Sequence, residues 1–167
     1  MKTCFLCSNA NTKGGMYFSS SFVDLDFIFI AQNPGKSWYS KPVVPEDIIP
    51  FGLDKPSSYN RFFTLLSNKF FEKHARKINF YITNVAKCST IDNSLLPENI
   101  ETCPKEFLYR EISVLKKYSP NVRVVTLGKS AFELNFDFNT IALHHPGYMN
   151  RQPSEVMYDD VMHLVEI

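Results

Sequence analysis

Two groups of residues in this chain have types and spacings that could do chemistry: four cysteines, and a set of polar or aromatic side chains that follow apolar runs. The cysteines fall as Cys4-x2-Cys7 and Cys88-x14-Cys103. The first pair is a tight chelate loop. The second brackets a long loop and, by pattern, ends at a helix start near Pro104, where backbone N–H groups and the helix dipole would stabilise thiolate charge. Four sulfur donors suit an iron–sulfur cluster or zinc. Zinc ribbons usually repeat the tight knuckle, and the second pair does not. By spacing alone, a cluster, zinc and ordinary buried thiols all stay open.

The second group has four members. Ala31-Gln32-Asn33-Pro34-Gly35 puts two carboxamides at a sharp turn, where Gly35 lets the backbone approach a ligand. Pro50-Phe51-Gly52 holds an aromatic ring between two turn-forming residues. Asn84 ends an apolar run just before Lys87-Cys88, and a buried carboxamide there is either a structural tie or a reader of a polar edge. Finally, His144-His145-Pro146-Gly147-Tyr148-Met149-Asn150-Arg151 places histidine beside Pro-Gly, a setting that exposes it, with Arg151 nearby for an anion. Taken one at a time, each also suits a plain turn, a core ring or a solvated loop.

Elements that could position these groups alternate along the chain. Residues 27–31 (FIFIA), 78–85 (INFYITNV) and 122–127 (VRVVTL) are short continuous apolar runs, as expected of strands buried on both faces, and residues 140–143 form a weaker fourth. A Ser cap and an apolar stripe at Phe62, Leu65, Leu66 and Phe70 predict a helix over residues 58–74. Thr102-Cys103-Pro104 predicts a cap for a second helix over residues 104–118, with Phe107, Leu108, Ile112, Leu115 and Tyr118 at helical spacing. Short helices should begin near Lys129 and Ser154. Residues 32–57 and 87–101 read as long loops, which in compact domains are usually functional. The expectation is an α/β, three-layer sandwich: a central, mostly parallel four-stranded sheet with helices on both faces, ligands binding at the strands' carboxyl ends.

Composition bounds the reading. With 167 residues, 44% hydrophobic and 21% charged, the chain is expected to form one globular domain over residues 1–167. A net charge of +1 excludes a globally basic nucleic-acid binder, so any such binding must be local. No leader-like or membrane-spanning apolar stretch is visible, and reduced cysteines fit the cytoplasm.

Taken together, the motifs resemble the uracil-DNA glycosylase superfamily, and most of all its iron–sulfur family-4 enzymes. Tyr81-Ile82-Thr83-Asn84-Val85-Ala86-Lys87-Cys88 would pass almost unchanged in those enzymes, and Cys103-Pro104, Leu127-Gly128 and His145-Pro146 fall where they have them. The likeness runs from Cys4 to Arg151. One motif departs: family-4 enzymes carry Gly-Glu-Ala-Pro-Gly where this chain has Ala31-Gln32-Asn33-Pro34-Gly35. The Asn-Pro-Gly is similar to mismatch-specific and single-strand-selective members, and Asn60-Arg61-Phe62-Phe63 further on resembles the mismatch enzymes' Asn-Arg-Phe-Trp.

The resemblance implies a monofunctional DNA glycosylase that flips a base, most simply uracil, out of DNA and leaves an abasic site. It implies a [4Fe–4S] cluster on Cys4, Cys7, Cys88 and Cys103, with zinc as the alternative. Phe51 would stack on the base, Asn84 would pair with its edge, and Gly35 would leave room at pyrimidine C5. Asn33, with Gln32 as second candidate, would hold water, and His145 would stabilise the departing base. Tyr148, Met149 and Arg151 would wedge into DNA and contact its backbone, with Lys36, Lys41 and Lys87 as further phosphate contacts. A monomer acting on DNA in the cytoplasm, associated with the nucleoid by function and with no membrane contact, is the matching expectation. Excision of a bulky modified pyrimidine, such as a modified phage cytosine, and a non-catalytic cluster-bearing nucleic-acid binder are the alternatives.

Overall fold

A computed structural model describes residues 16–34, 50–88, 97–133, 136 and 138–167. Cys4, Cys7, Gly35, Lys36 and Lys41 lie outside them. Among the described residues the elements are β1 (Tyr17–Phe18), β2 (Phe27–Ala31), α1 (Ser58–His74), β3 (Phe80–Asn84), α2 (Pro97–Cys103), α3 (Tyr109–Tyr118), β4 (Arg123–Leu127), α4 (Lys129–Phe132), β5 (Thr140–Leu143), α5 (Pro146–Met149) and α6 (Ser154–Glu166).

The sheet order is β1-β3-β2-β4-β5, with β3, β2, β4 and β5 mutually parallel. Strands with neighbours on both sides and helices on both faces must be apolar throughout, which is why β2 and β3 are continuous buried runs. Alternation then divides them. Phe27, Phe29, Phe80, Ile82, Val125 and Leu127 pack against Phe62, Phe63, Leu66 and Phe70 of α1 and Met157, Val161, Leu164 and Val165 of α6. Ile28, Ile30, Tyr81 and Val124 face Leu108, Ile112 and Leu115 on the opposite side. Helix, sheet and helix make the expected three layers.

Two features depart from the sequence expectation. The sheet has a fifth strand, β1, antiparallel to β3 with Tyr17 opposite Ile82 and Phe18 opposite Tyr81. Two residues are too few to show any periodicity, and this strand exists because the edge of β3 offers unpaired backbone and the Tyr81 ring, 4.3 Å from that of Phe18. The second concerns the helix expected from residue 104. It starts at Pro97 instead, so the anticipated loop over residues 87–101 is partly helical. Pro104 has no N–H to donate back to Ile100, and the chain absorbs this with a π turn over Pro104–Leu108, closed by the Tyr109 N–H on the Pro104 carbonyl. Cys103 therefore has helical backbone angles (φ −60°, ψ −42°) and ends α2 inside a continuing helix. The free N–H groups and dipole expected to favour a thiolate there are absent. Of the expected stripe, Leu108, Ile112 and Leu115 are buried, while Phe107 and Tyr118 are exposed.

Helix α1 has the expected bounds because its ends are chemically marked. The Ser57 hydroxyl accepts the Asn60 N–H at 3.0 Å. At the other end Ala75 takes a left-handed conformation (φ 52°) and its N–H reaches the Phe71 carbonyl.

Candidate active site at the carboxyl edge of the sheet

Parallel strands bring their carboxyl ends to one edge, so residues distant in sequence become neighbours. Ala31 is paired with Asn84, and the ladder continues past the strands through Val85 N–H to the Ala31 carbonyl (2.8 Å) and Ala86 N–H to the Gln32 carbonyl (3.1 Å). This fixes Gln32 and Asn33 beside Asn84. Asn33 is buried (8% exposed) and Gln32 partly so. Chain β2 continues toward α1 on one face, whereas α4 after β4 packs Ala131 into the other layer. The crevice between β2 and β4 is thus the switch point at which open α/β sheets bind ligands.

Asn84 shares its pleat with Phe80 and Ile82, and so points to the α1 side of the sheet. It is 2% exposed, and its Oδ1 has no hydrogen-bond partner among the described residues. A buried acceptor left unsatisfied costs about 1–3 kcal/mol. Such a cost is retained where a ligand completes the bond.

His145 closes the opposite side of the site, following β5. Three strand spacings separate its strand from that of Asn84, about 14 Å, which leaves room for a planar ring between two side chains. Its ring is tightly specified. The Gly147 N–H donates to Nδ1 at 3.0 Å, so the neutral ring carries its proton on Nε2, and Nε2–H donates to the Tyr59 hydroxyl at 3.1 Å. Burial, reinforced by the Arg151 charge, holds its pKa below the usual histidine range, so the ring is neutral at pH 7. Gly128 (φ 92°) passes directly beneath it, and a Cβ there would lie 2.9 Å from the His145 Cβ. Only glycine fits both that backbone and that gap.

Phe51 completes the constellation. Its φ of 65° and ψ of 6° put a bulky side chain in the left-handed region, at a cost of about 1–3 kcal/mol, and the Ser57 hydroxyl secures the turn by donating to the Gly52 carbonyl at 2.9 Å. The ring sits 5.3 Å from that of Tyr59, which is 5.5 Å edge-on from His145. Phe51, Tyr59 and His145 therefore form one contact chain over the strand ends.

Tyr59 was missed in the sequence. The available signal was its place on the α1 stripe, one turn before Phe63, where an aromatic ring with a polar tip faces the strand ends. Burial pushes its hydroxyl pKa well above the ordinary value, so it stays a neutral phenol beside His145.

Three sequence expectations are corrected. The residues after His145 form a one-turn helix, α5, in place of an open loop, and Met149 is 1% exposed within the α1–α6 core. It packs where a wedge residue would have to protrude, which leaves Tyr148 and Arg151 as the exposed members. Lys87 does not face solvent as a phosphate contact: Nζ lies 2.5 Å from Glu111 Oε2 and also donates to Thr83 Oγ1. Burial lowers its pKa, against the opposing effect of Glu111. Tyr81 donates to the other oxygen of Glu111, and this buried network ties the end of β3 to α3.

Cys88 and Cys103 are both buried, at 6% and 4% exposure, as sulfur ligands to a cluster or structural metal would be. Among the described residues no group of three potential metal ligands is assembled, and half of the expected donor set lies outside them. None of the described helices is long and apolar enough to cross a membrane.

Comparison with curated proteins finds no match. The sequence profile of the uracil DNA glycosylase superfamily, a group of enzymes that act on DNA, matches residues 19–166, a span that holds every element described above except β1. With the three-layer fold and the strand-end carboxamide and histidine in place, the chain belongs to the uracil-DNA glycosylase superfamily.

Proposed function

We propose that the protein is a monofunctional DNA glycosylase that flips a uracil from DNA and hydrolyses its bond to the sugar. The observation that carries this reading is the buried Oδ1 of Asn84 with no partner among the described residues. Uracil presents an N3–H between two carbonyls. Asn84 Oδ1 would accept N3–H while its Nδ2 donates to O4, so one ligand relieves the unsatisfied oxygen and is read by it. The strained Phe51 supports the same reading, since a flipped base needs a ring face to stack on.

The reaction needs little from the protein beyond placement. The C1′–N1 bond breaks and the base leaves as an anion; the oxygen of water bonds to C1′, and the water proton passes to solvent, from which the base regains one. His145 Nε2–H, held by the Tyr59 hydroxyl and shared with the base O2, would stabilise the developing negative charge. Asn33, with Gln32 beside it, would hold the water. A carboxamide is no general base, but an oxocarbenium-like sugar is electrophilic enough for positioning to count. The missing carboxylate should make the enzyme slower than relatives that have one, since general-base help is worth about 10²–10⁴-fold.

A single-turnover assay on an oligonucleotide with one uracil, read as alkali-labile abasic sites, tests this. Excision by the wild type and a drop of about 10²-fold in Asn84→Ala are expected, from the loss of paired recognition of the base edge. Release of a bulky modified cytosine with uracil untouched would replace the substrate assignment. Release of no base at all would leave a DNA-binding protein and end the glycosylase reading.

The same reading assigns a [4Fe–4S] cluster to Cys88 and Cys103 together with Cys4 and Cys7, with zinc as the alternative. The two described cysteines suit it in chemistry and burial. The cluster would tie the chain's start and the segment after β3 to α2, and no step of base release runs through it. Protein purified without oxygen should be yellow-brown with about four irons per chain, and Cys88→Ala should lose the colour and much of the stability, because ligation is coupled to folding. Stoichiometric zinc without iron would give the site to zinc. A monomer working in the cytoplasm fits this reading.

A further inference from the structure

We propose that the groove between α4 and α5 binds an unpaired DNA base next to the excised one, so that the enzyme engages single-stranded or locally unpaired DNA ahead of intact duplex. The occupant is inferred from the glycosylase reading; the groove itself stands on separate observations. It has a volume of about 470 Å³ and is lined by Gly128, Lys129, Phe132, Leu143, His144 and Tyr148.

Its aromatic rings are exposed, and two of them are held in place by specific contacts. Phe132 and Tyr148 are 50% and 44% exposed. The His144 ring stacks on Tyr148, with centroids 5.3 Å apart and planes within 18°. Asp160 holds that histidine at two points, its Oδ2 accepting the backbone N–H at 2.9 Å and lying 3.0 Å from Nδ1. Neither contact adds to a core. Together they fix an aromatic pair at the surface, so a base stacking on it orders little that is not already ordered. Phe132 supplies a further ring on the same groove.

The rings meet only half of what a nucleotide requires. Lys129, with its side chain 85% exposed, supplies a cation for the phosphate. Its 3.4 Å pair with Glu133 is in solvent and weak enough to exchange. The groove shares His145 with the candidate active site, and Gly128, which lines the groove, packs against that residue. The nucleotide next to a base held at His145 would therefore lie beside the groove.

Strand preference follows from the nature of the platform. A base within a duplex has both faces covered by its neighbours, so only an unstacked base can use exposed rings. With a net charge of only +1, the chain has no general field for duplex phosphates, and stacking must carry a larger share of binding.

The test uses the full-length protein and an unmodified oligothymidylate, which contains no base to excise, with a matched thymine–adenine duplex as comparison, both read by fluorescence anisotropy. The expected result is tighter binding of the single strand. Phe132→Ala should weaken it about tenfold, with less than a twofold change for the duplex, and Tyr148→Ala should weaken it at least as much. Lys129→Gln should lower the salt dependence by about one phosphate contact. Both rings are exposed, so thermal melting should stay at the wild-type value. Equal affinity for both DNAs, or wild-type affinity in Phe132→Ala, would overturn the proposal even if uracil is excised. Preserved single-strand binding without any excision would uphold the groove and remove the glycosylase reading. Self-association abolished by Phe132→Ala, with DNA binding intact, would make a second copy of the chain the occupant and overturn the proposal.

Discussion

His145→Ala slows base release by about 10²-fold or more while DNA binding persists. The expected size is that of losing one preorganised donor aimed at a developing anion. The donor is unusually well set: Gly147 occupies Nδ1 and forces the proton to Nε2. Tyr59 makes an instructive contrast. Its hydroxyl orients the ring without reaching the reacting atoms, so Tyr59→Phe should lose only about 3–10-fold, the worth of one ordinary hydrogen bond. Acid provides a second readout. Because burial depresses the folded pKa of His145, the ring is neutral through pH 7, and rates should fall as the pH drops through that lowered value and Nδ1 takes a proton in place of the Gly147 N–H. Stability moves the same way: below the ordinary histidine range the unfolded chain binds the proton first, so folding weakens as pH falls. His145→Ala should lose this acid limb of the stability profile. Single-turnover rates and binding measured on the same oligonucleotide decide the matter. Wild-type excision by His145→Ala would remove the residue from the mechanism.

The second large effect is structural. Phe29→Ala should destabilise the fold by about 3–5 kcal/mol, a large part of the 5–15 kcal/mol available to a domain. Phe29 is fully buried in the central strand β2 and meets four other rings: Phe63 at 4.9 Å, Phe27 at 5.7 Å, Phe80 at 5.9 Å and Phe62 at 6.2 Å. These span two strands and α1, so the cavity left behind cannot close by moving one element. Phe29→Leu keeps much of the volume and should cost far less. Urea unfolding gives both values. A change below about 1 kcal/mol in Phe29→Ala would mean that the α1 layer is not packed as described. The functional consequence is direct, because β2 leads into Asn33 and α1 carries Tyr59, and the packing between them sets the site's width.

Much of this architecture was legible in local pattern. Three apolar runs announced β2, β3 and β4, Ser57 and the Phe62–Phe70 spacing announced α1, and Asn84 and His145 were recognisable because they end or follow strands whose ends must lie at the ligand edge of a parallel sheet. Periodicity suffices for these, since a residue's face follows from its phase within its own element. Other features depended on partners far away in the chain. The two residues of β1 pair only because β3 has an open edge. Lys87, a plausible phosphate contact by sequence, is turned inward by Glu111, 24 positions away. Met149 looked like part of an exposed loop, but its one-turn helix directs it into the core shared by α1 and α6. Tyr59 became part of the site only when α1 packed across the sheet and set its hydroxyl against His145, 86 residues on. In each case the deciding interaction is a contact between elements, and packing alone, with the burial and pairing it imposes, determines which side chains meet.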